Sequence, residues 1–277
     1  MSDHLRSKAR RLLELHAGPP ILVLPNVWDV ASARIVAATR GCEAIATSSA
    51  GVAAALGYPD GEAIPREEML TAVERIAAAV ALPVTADLEA GYGESADAAA
   101  ATAEGALAAG AVGLNLEDGR DERDLVDASL HVARIRAARA VGEAAGVHLV
   151  LNARTDAYLI GSGDLDGRFR TTVERARLYR SAGADSIFVP GVSDADTIGR
   201  LAEAIDAPLN VLAVAGTPPV SELEGLGVAR VSVGSGPMRA AAALTAAIAE
   251  ELLERGTYSL LERAMPYREL NDLLAHD

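Results

Sequence analysis

A closed parallel (β/α)8 barrel with additional C-terminal helices is the fold this sequence predicts, and three observations carry the prediction. Short apolar runs alternate with helical, often Ala-rich segments about eight times along the chain, the pattern a parallel barrel requires. Runs such as ILVLPNV (Ile21 to Val27) and LVLN (Leu149 to Asn152) are apolar on both faces, as strands covered by helices must be. An open doubly wound sheet would carry a Gly-rich fingerprint after its first strand; Pro25, Asn26, Val27 and Trp28 stand there instead. No linker or shift in composition interrupts the alternation, so residues 1–277 read as one domain.

A basic amphipathic helix opens the chain, and Ile21 to Val27 follows as the first strand. Asp29 can accept the free N–H groups of a helix running to Arg40. Ala44 to Gly51 is the second strand; a Gly/Pro/Asp loop then leads to a helix from Pro65, a residue suited to a first helical turn, to Val80. Pro83 to Ala90 is the third strand, followed by an Ala-rich helix from Ser95 to Ala109 that Gly110 stops. Strands at Gly113 to Glu117, Leu149 to Arg154 and Ser186 to Pro190 alternate with helices at Ala128 to Ala145, Arg170 to Ala182 and Asp194 to Ile205. The last two strands are Leu209 to Ala215 and Arg230 to Gly234, with a short helical turn at Ser221 to Leu226 between them. A helix from Pro237 to Gly256 closes the barrel, and Ser259 to Ala275 forms a separate amphipathic tail.

Composition excludes several classes of function. A formal charge of −14 and a pI near 4.8 argue against a nucleic-acid partner, because phosphate binding relies on clustered Lys and Arg. No apolar run is long enough for a membrane span, and the N-terminus has no apolar core with a cleavage site. The single cysteine, Cys42, allows no intrachain disulfide, which fits a cytoplasmic protein.

Chemistry concentrates where three strands end abruptly in charge: ADLEAGYG (Ala86 to Gly93), VGLNLEDG (Val112 to Gly119) and LVLNARTDAY (Leu149 to Tyr158). Residues two apart on a strand share a face, so Asp87 pairs with Glu89, and Asn152 with Arg154 and Asp156. Barrel active sites lie at the carboxyl ends of the strands, where Trp28, Asp29, Ser48, Ser49, Glu117 and Asp118 also collect, with Asp60 reaching over the rim. Crowded carboxylates repel unless a cation lies between them, and an all-oxygen donor set suits Mg²⁺, or Mn²⁺, with part of its water shell kept. Arg154 offers a planar fork to a substrate carboxylate or a developing oxyanion, or else an ion pair to a neighbouring strand-end carboxylate. Ser48 and Ser49 can bind further anionic oxygens, and Asp118 reads as solvent-facing or loop structure. GSGPMR (Gly234 to Arg239) reads as a structural turn, while His131 and His148 fall away from the strand ends.

LPNVWDVASARI, TSSAGVAAALGYPD, ADLEAGYG, GLNLED and NARTDAY, with AGADSIFVPG further on, match in order and spacing the isocitrate lyase/phosphoenolpyruvate mutase superfamily, which the sequence resembles over most of the barrel. The resemblance implies Mg²⁺ and an enolate-like intermediate used to break or make C–C or P–C bonds on 2-oxo or 2-hydroxy acids. Carried over by position, Asp87 would ligate the metal directly and Glu89, Asp60 and Glu117 would hold its waters. Ser48, Ser49 and Ala50 would bind the substrate carboxylate, with Trp28 and Asn152 beside them, and Arg154 and Glu117 would act at the reacting end. The chain departs from the pattern in three places. Asp87-Leu88-Glu89 replaces the usual Asp-x-Asp; the loop after the fourth strand reads GRDERDLVD without the lyases' Cys; and Gly191 stands where lyases carry Glu.

These departures make isocitrate-type cleavage doubtful and leave the enolate machinery. The expected activity is a Mg²⁺-dependent lyase or decarboxylase on a small 2-oxo or 2-hydroxy dicarboxylate such as oxaloacetate, since decarboxylation needs an electron sink more than a Cys donor. Phosphoenolpyruvate mutase or phosphonopyruvate hydrolase chemistry on a P–C bond is the alternative; a catalytically weak carboxylate binder is the third reading. Substrate choice lies in Gly119 to Asp127, where the resemblance fails. The tail places Leu260, Leu261, Ala264, Tyr267, Leu270, Leu273 and Leu274 at helical spacing. The superfamily exchanges C-terminal helices between subunits, so the resemblance implies swapped helices and a homo-oligomer, a dimer of dimers.

Overall fold

The computed structural model describes residues 3–119, 124–160 and 163–275, in which strands and helices alternate as expected. In chain order the elements are α1 (Asp3–Leu15), β1 (Leu22–Leu24), β2 (Asn26–Val27), α2 (Val30–Ala37), β3 (Ile45–Thr47), α3 (Ser49–Ala55), α4 (Arg66–Ala78) and β4 (Val84–Asp87). Then come α5 (Ala96–Ala108), β5 (Gly113–Glu117), α6 (Ala128–Ala144), β6 (Val150–Arg154), α7 (Leu165–Ser181) and β7 (Ser186–Val189). The chain continues through α8 (Ala195–Ala204), β8 (Leu209–Leu212), α9 (Val220–Gly225), β9 (Arg230–Ser232), α10 (Gly236–Glu250) and α11 (Tyr267–Ala275).

The strands form one parallel sheet in the order β1-β9-β8-β7-β6-β5-β4-β3-β2. Its two end strands are consecutive in the chain with only Pro25 between them, so the sheet closes into a TIM-type barrel. Proline has no N–H to give a ladder, and at Pro25 the chain changes partner: β1 pairs with β9, and β2 with β3. The single first strand expected from Ile21 to Val27 is therefore two short ones. The carbonyl of Pro25 still accepts from the Ala46 N–H at 3.3 Å, which carries the sheet past the break.

Helices begin where short polar side chains can take up free N–H groups. Asp29, Ser48, Ser95, Asp127, Asp164 and Asp194 each accept a backbone N–H at the start of α2, α3, α5, α6, α7 and α8. Two of these starts correct the sequence reading. Ser48 ends the strand and opens α3, where a strand to Gly51 was expected, and Asp164 starts α7 five residues before Arg170. Between helices and sheet lies a dense apolar core that includes Ile45, Met69, Ile76, Leu107, Leu114 and Ile198.

The tail departs from the single amphipathic helix expected over Ser259 to Ala275. After α10 the chain makes a π-helical turn, Glu251–Arg255, then passes through Gly256 at φ 63°. A 3₁₀ turn, Ser259–Arg263, follows, and Pro266, which cannot continue a helix, separates it from α11. Glu251 fixes this elbow: its carboxylate accepts from the Thr257 and Ser259 hydroxyls and the Ser259 and Leu260 N–H groups, bonds that hold its pKa down to about 2. Helix α11 lies against α2, where Arg34 donates to the carbonyls of Leu273 and Leu274. Tyr258, Leu261, Tyr267 and Leu274 remain exposed. Among the described residues no helix is long and apolar enough to cross a membrane.

Helix α1 covers the amino end of the barrel, with Leu12 fully buried. The fit there is close, since a Cβ on Gly113 would stand 2.7 Å from Leu12 Cδ2 and 2.9 Å from Thr85 Oγ1. Gly113→Ala should therefore destabilise the protein by about 1–3 kcal/mol through overpacking. Urea denaturation measures this; a loss under about 0.5 kcal/mol would mean that α1 yields without cost.

Candidate active site

The carboxyl ends of β4, β5 and β6 and the loops beyond them enclose a cleft of about 560 Å³. Asp60, Glu62, Glu89, Glu117, Arg154 and Asp156 all line it. Adjacent parallel strands bring Glu117 and Arg154 into register, and their ion pair closes at 2.6 Å. On its other side Arg154 makes a two-pronged contact with Asp156, Nε to Oδ1 at 2.6 Å and Nη2 to Oδ2 at 3.1 Å. Of the two roles weighed for Arg154, the structure shows the ion pair, and it does so inside the cleft.

Negative charge is in excess around this guanidinium. Burial, then Asp87 and Asp60, push Glu89 up to about 7. Burial, together with Asp156, Asp87 and Glu89, also drives Glu117 well above the usual carboxylate range, with Arg154 opposing. Burial works against the charge on Arg154, but Glu117 and Asp156 outweigh it and raise its pKa. The backbone is strained in the same place: Glu62, Glu89 and Tyr92 adopt left-handed φ values of 57°, 51° and 57°. Hydrogen bonds between the two loops hold them there, from the Glu62 N–H to Glu89 Oε2 and from the Tyr92 N–H to Glu62 Oε1, each 2.6 Å.

Asp87 stands beside the cleft, partly exposed. The Ser49 N–H and hydroxyl both donate to its Oδ2, at 3.0 and 2.9 Å, and Asn115 Nδ2 donates to its Oδ1 at 3.1 Å. These bonds change the picture drawn for the substrate side. Both Ser49 donors go to Asp87, while the Ser48 hydroxyl accepts from Gly51 and its N–H donates to Val27. Among the described residues, Ala50 alone of the three makes no such bond to Asp87 or a neighbouring strand. Asn152 points into the barrel interior, 1 % exposed, with its amide donating to Asn115. Trp28 lines a different cleft, between α2, α3 and α4, together with Leu274.

Asp118 corrects another expectation. It is fully buried and accepts from the Tyr179 hydroxyl at 2.5 Å, Arg175 Nη1 at 3.0 Å and the Asp156 N–H at 2.9 Å. It thus ties β6 to α7 beside the catalytic candidates. His131 packs edge-on against Tyr179, away from the cleft. Residues 120–123 of the loop proposed to choose the substrate lie outside the described residues. Sequence reasoning missed Glu62, Asn115 and Arg230. The last two had a readable signal, a polar or charged side chain within an apolar strand.

Among the described residues, no three Asp, Glu, His or Cys side chains converge closely enough to ligate one ion together. The donor set is nonetheless all oxygen, and neighbouring carboxylates help to raise the pKa values of Glu89 and Glu117, a repulsion that a cation would relieve. Such a set fits a hard divalent ion that keeps most of its water and takes few direct protein ligands.

A family model described as phosphoenolpyruvate phosphomutase matches residues 12–253. The chain is 36% identical over 255 residues to an uncharacterized protein of Mycobacterium tuberculosis, covering 92% of each. It is 31% identical to the 2-methylisocitrate lyase of Escherichia coli, covering 89% of this chain and 83% of that one. To the oxaloacetate decarboxylase of Pseudomonas fluorescens it is 32% identical, covering 84% and 80%. Among solved structures, a Burkholderia cenocepacia protein provisionally described as a lyase/mutase superposes with a TM-score of 0.91 at 38% identity, covering 99% and 98%. Oxaloacetate acetylhydrolase in complex with the product oxalate gives a TM-score of 0.85 at 27% identity, covering 96% and 93%.

The raised pKa of Glu89 has a thermodynamic consequence. The folded protein keeps this proton up to about pH 7, whereas the unfolded chain releases it near 4.5. Between these values the native state binds more protons, so stability without metal should fall as pH rises, by at most about 3 kcal/mol. Denaturation in EDTA from pH 5 to 8 measures the slope, and Glu89→Gln should flatten it. An unchanged slope in that variant would place the titration on another group.

Proposed function

The chain belongs to the phosphoenolpyruvate phosphomutase family of the isocitrate lyase/phosphoenolpyruvate mutase superfamily, and from that premise we propose that it is a divalent-metal-dependent lyase acting on a small 2-oxo or 2-hydroxy carboxylate, with an oxaloacetate-like dicarboxylate as its substrate. The observation that carries the reading is Arg154, set between Glu117 and Asp156 in a carboxylate-lined cleft. Cleavage next to a 2-oxo group leaves an electron pair that must be stabilised as an enolate. A planar guanidinium held by two partners is preorganised to receive that developing charge. When bound, Mg²⁺ or Mn²⁺ would supply a Lewis acid and a counter-charge. Asp87 would hold it directly and Glu89, Asp60 and Glu117 through water. Glu117, its pKa raised by burial, would hold or give a proton at the reacting end.

The absence of the lyase-type Glu at position 191 has a packing basis. Gly191 has φ 86°, and a Cβ there would stand 3.0 Å from the backbone N of Leu159. A longer side chain would force the segment after β6 to move. The description of the matching family model favours P–C bond chemistry as the second reading. A screen of 2-oxo acids with and without Mg²⁺ tests the first, and phosphorus NMR on phosphonopyruvate tests the second. No metal-dependent turnover of either class would leave a carboxylate-binding protein.

Arg154→Lys keeps the charge but not the fork, and should lower turnover about 30- to 1,000-fold, the loss of roughly 2–4 kcal/mol. Asp87→Ala should abolish metal binding with the fold intact, as judged by calorimetry and circular dichroism. Near-normal kinetics in the first variant, or unchanged Mg²⁺ affinity in the second, would refute the corresponding role.

The exposed apolar side chains of the tail support a homo-oligomer, a dimer of dimers, assembled through the C-terminal helices. A chain truncated after Gly256 should dissociate or aggregate in light scattering. A full-length protein that is monomeric at micromolar concentration would contradict this assembly.

A further inference from the structure

Asp87 is the last link of a side-chain chain that crosses four consecutive strands. The backbone register places Asp87, Asn115, Asn152 and Ser186 side by side on β4, β5, β6 and β7. Their side chains bond in the same order. The Ser186 hydroxyl donates to Asn152 Oδ1 at 2.7 Å, Asn152 Nδ2 donates to Asn115 Oδ1 at 2.8 Å, and Asn115 Nδ2 donates to Asp87 Oδ1 at 3.1 Å. Every donor points toward Asp87, so the two amide dipoles align on its carboxylate and polarise each other in a buried interior. Ser186 is fully buried, and Asn152 and Asn115 are 1 % and 6 % exposed.

Arg230 backs this line from across the barrel. It lies on β9, which does not pair with β5, yet its Nη2 reaches Asn115 Oδ1 at 3.4 Å, so the contact spans the interior. Its Nη1 lies 3.4 Å from His16 Nε2, and its Nε has no partner among the described residues, although the side chain is 1 % exposed. A donor on Asn115 Oδ1 turns the opposite, Nδ2 end of that amide toward Asp87.

We propose that Ser186, Asn152 and Asn115, with Arg230 behind them, are positioning residues that lock the rotamer of Asp87 and thereby set the affinity of the divalent-metal site. The inference rests on the metal reading of Asp87 above. Ser49 fixes one carboxylate oxygen and the relay fixes the other, so the ligand does not have to be ordered when a cation arrives. Supporting residues of this kind, which never touch the metal, typically change affinity about 10- to 100-fold.

The probe is Mn²⁺, titrated into the full-length protein and followed by electron paramagnetic resonance. Asn152→Leu should weaken Mn²⁺ binding about ten-fold. Ser186→Ala, three strands from Asp87, should weaken it measurably, and Ser186→Thr, which keeps the hydroxyl, should restore it. A purely structural role would lower the melting temperature measured in EDTA without moving the dissociation constant. Dissociation constants within two-fold of wild type in folded Asn152→Leu and Ser186→Ala would overturn the relay and leave the metal reading standing. Should Asn152→Leu not fold, the Ser186→Ala and Ser186→Thr pair decides alone. Failure of wild type itself to bind Mn²⁺ would overturn the metal reading and the relay with it.

Discussion

Too many anions for the cations available is the condition around which the carboxyl end of this barrel is built. Asp60, Glu62, Glu89, Glu117 and Asp156 share a cleft with Arg154, and Asp87 stands next to it. Buried or half-buried carboxylates in such numbers cost stability unless they are bonded, paired or protonated. Each solution is present. Arg154 takes Glu117 and Asp156, the Glu62 N–H takes Glu89, and Ser49 with Asn115 takes Asp87. What remains is a standing demand for positive charge, met by protons at low pH and by a divalent ion in the function proposed here.

The interior below the cleft serves that end. A barrel of this size is ordinarily filled by branched apolar side chains. Here Asn115, Asn152, Ser186 and Arg230 occupy part of the fill, and burial drives the pKa of Arg230 down to about 9, with Asp87 opposing. A buried guanidinium with long hydrogen bonds is expensive, so its presence calls for a return elsewhere. The line of amides that ends on Asp87 supplies one, because it converts interior polarity into a fixed ligand direction.

Much of this was legible in the residues. The strands that matter announce themselves by an apolar run that stops in charge: the structure ends β5 and β6 at Glu117 and Arg154 as expected, and β4 at Asp87, three residues before the expected Ala90, so that Glu89 lies beyond the strand. Asp118 was misjudged because its partners, Arg175 and Tyr179, lie about sixty residues away, and no local pattern reveals them. Ser49, expected on a strand, opens α3 instead, and Asn152 lies on β6 as expected but faces the barrel interior. Whether a hydroxyl or amide at a strand end faces ligand or neighbour depends on cross-strand register, which short strands leave open. The tail shows a different limit. Its apolar spacing is helical throughout, and Pro266 alone tells that one stripe is divided between a 3₁₀ turn and a separate helix.

The left-handed trio at Glu62, Glu89 and Tyr92 makes conformational stability and site chemistry competitors at the same positions. Glycine or asparagine would relieve the backbone there by about 1 kcal/mol or more at each site. At Glu62 and Glu89 they would also remove two of the cleft's carboxylates. A selection for heat resistance alone would therefore drift toward glycine at those two positions and arrive at a sturdier, quieter barrel. Side chains so ill-suited to this backbone mark the two loops as built around the groups they present rather than for ease of folding.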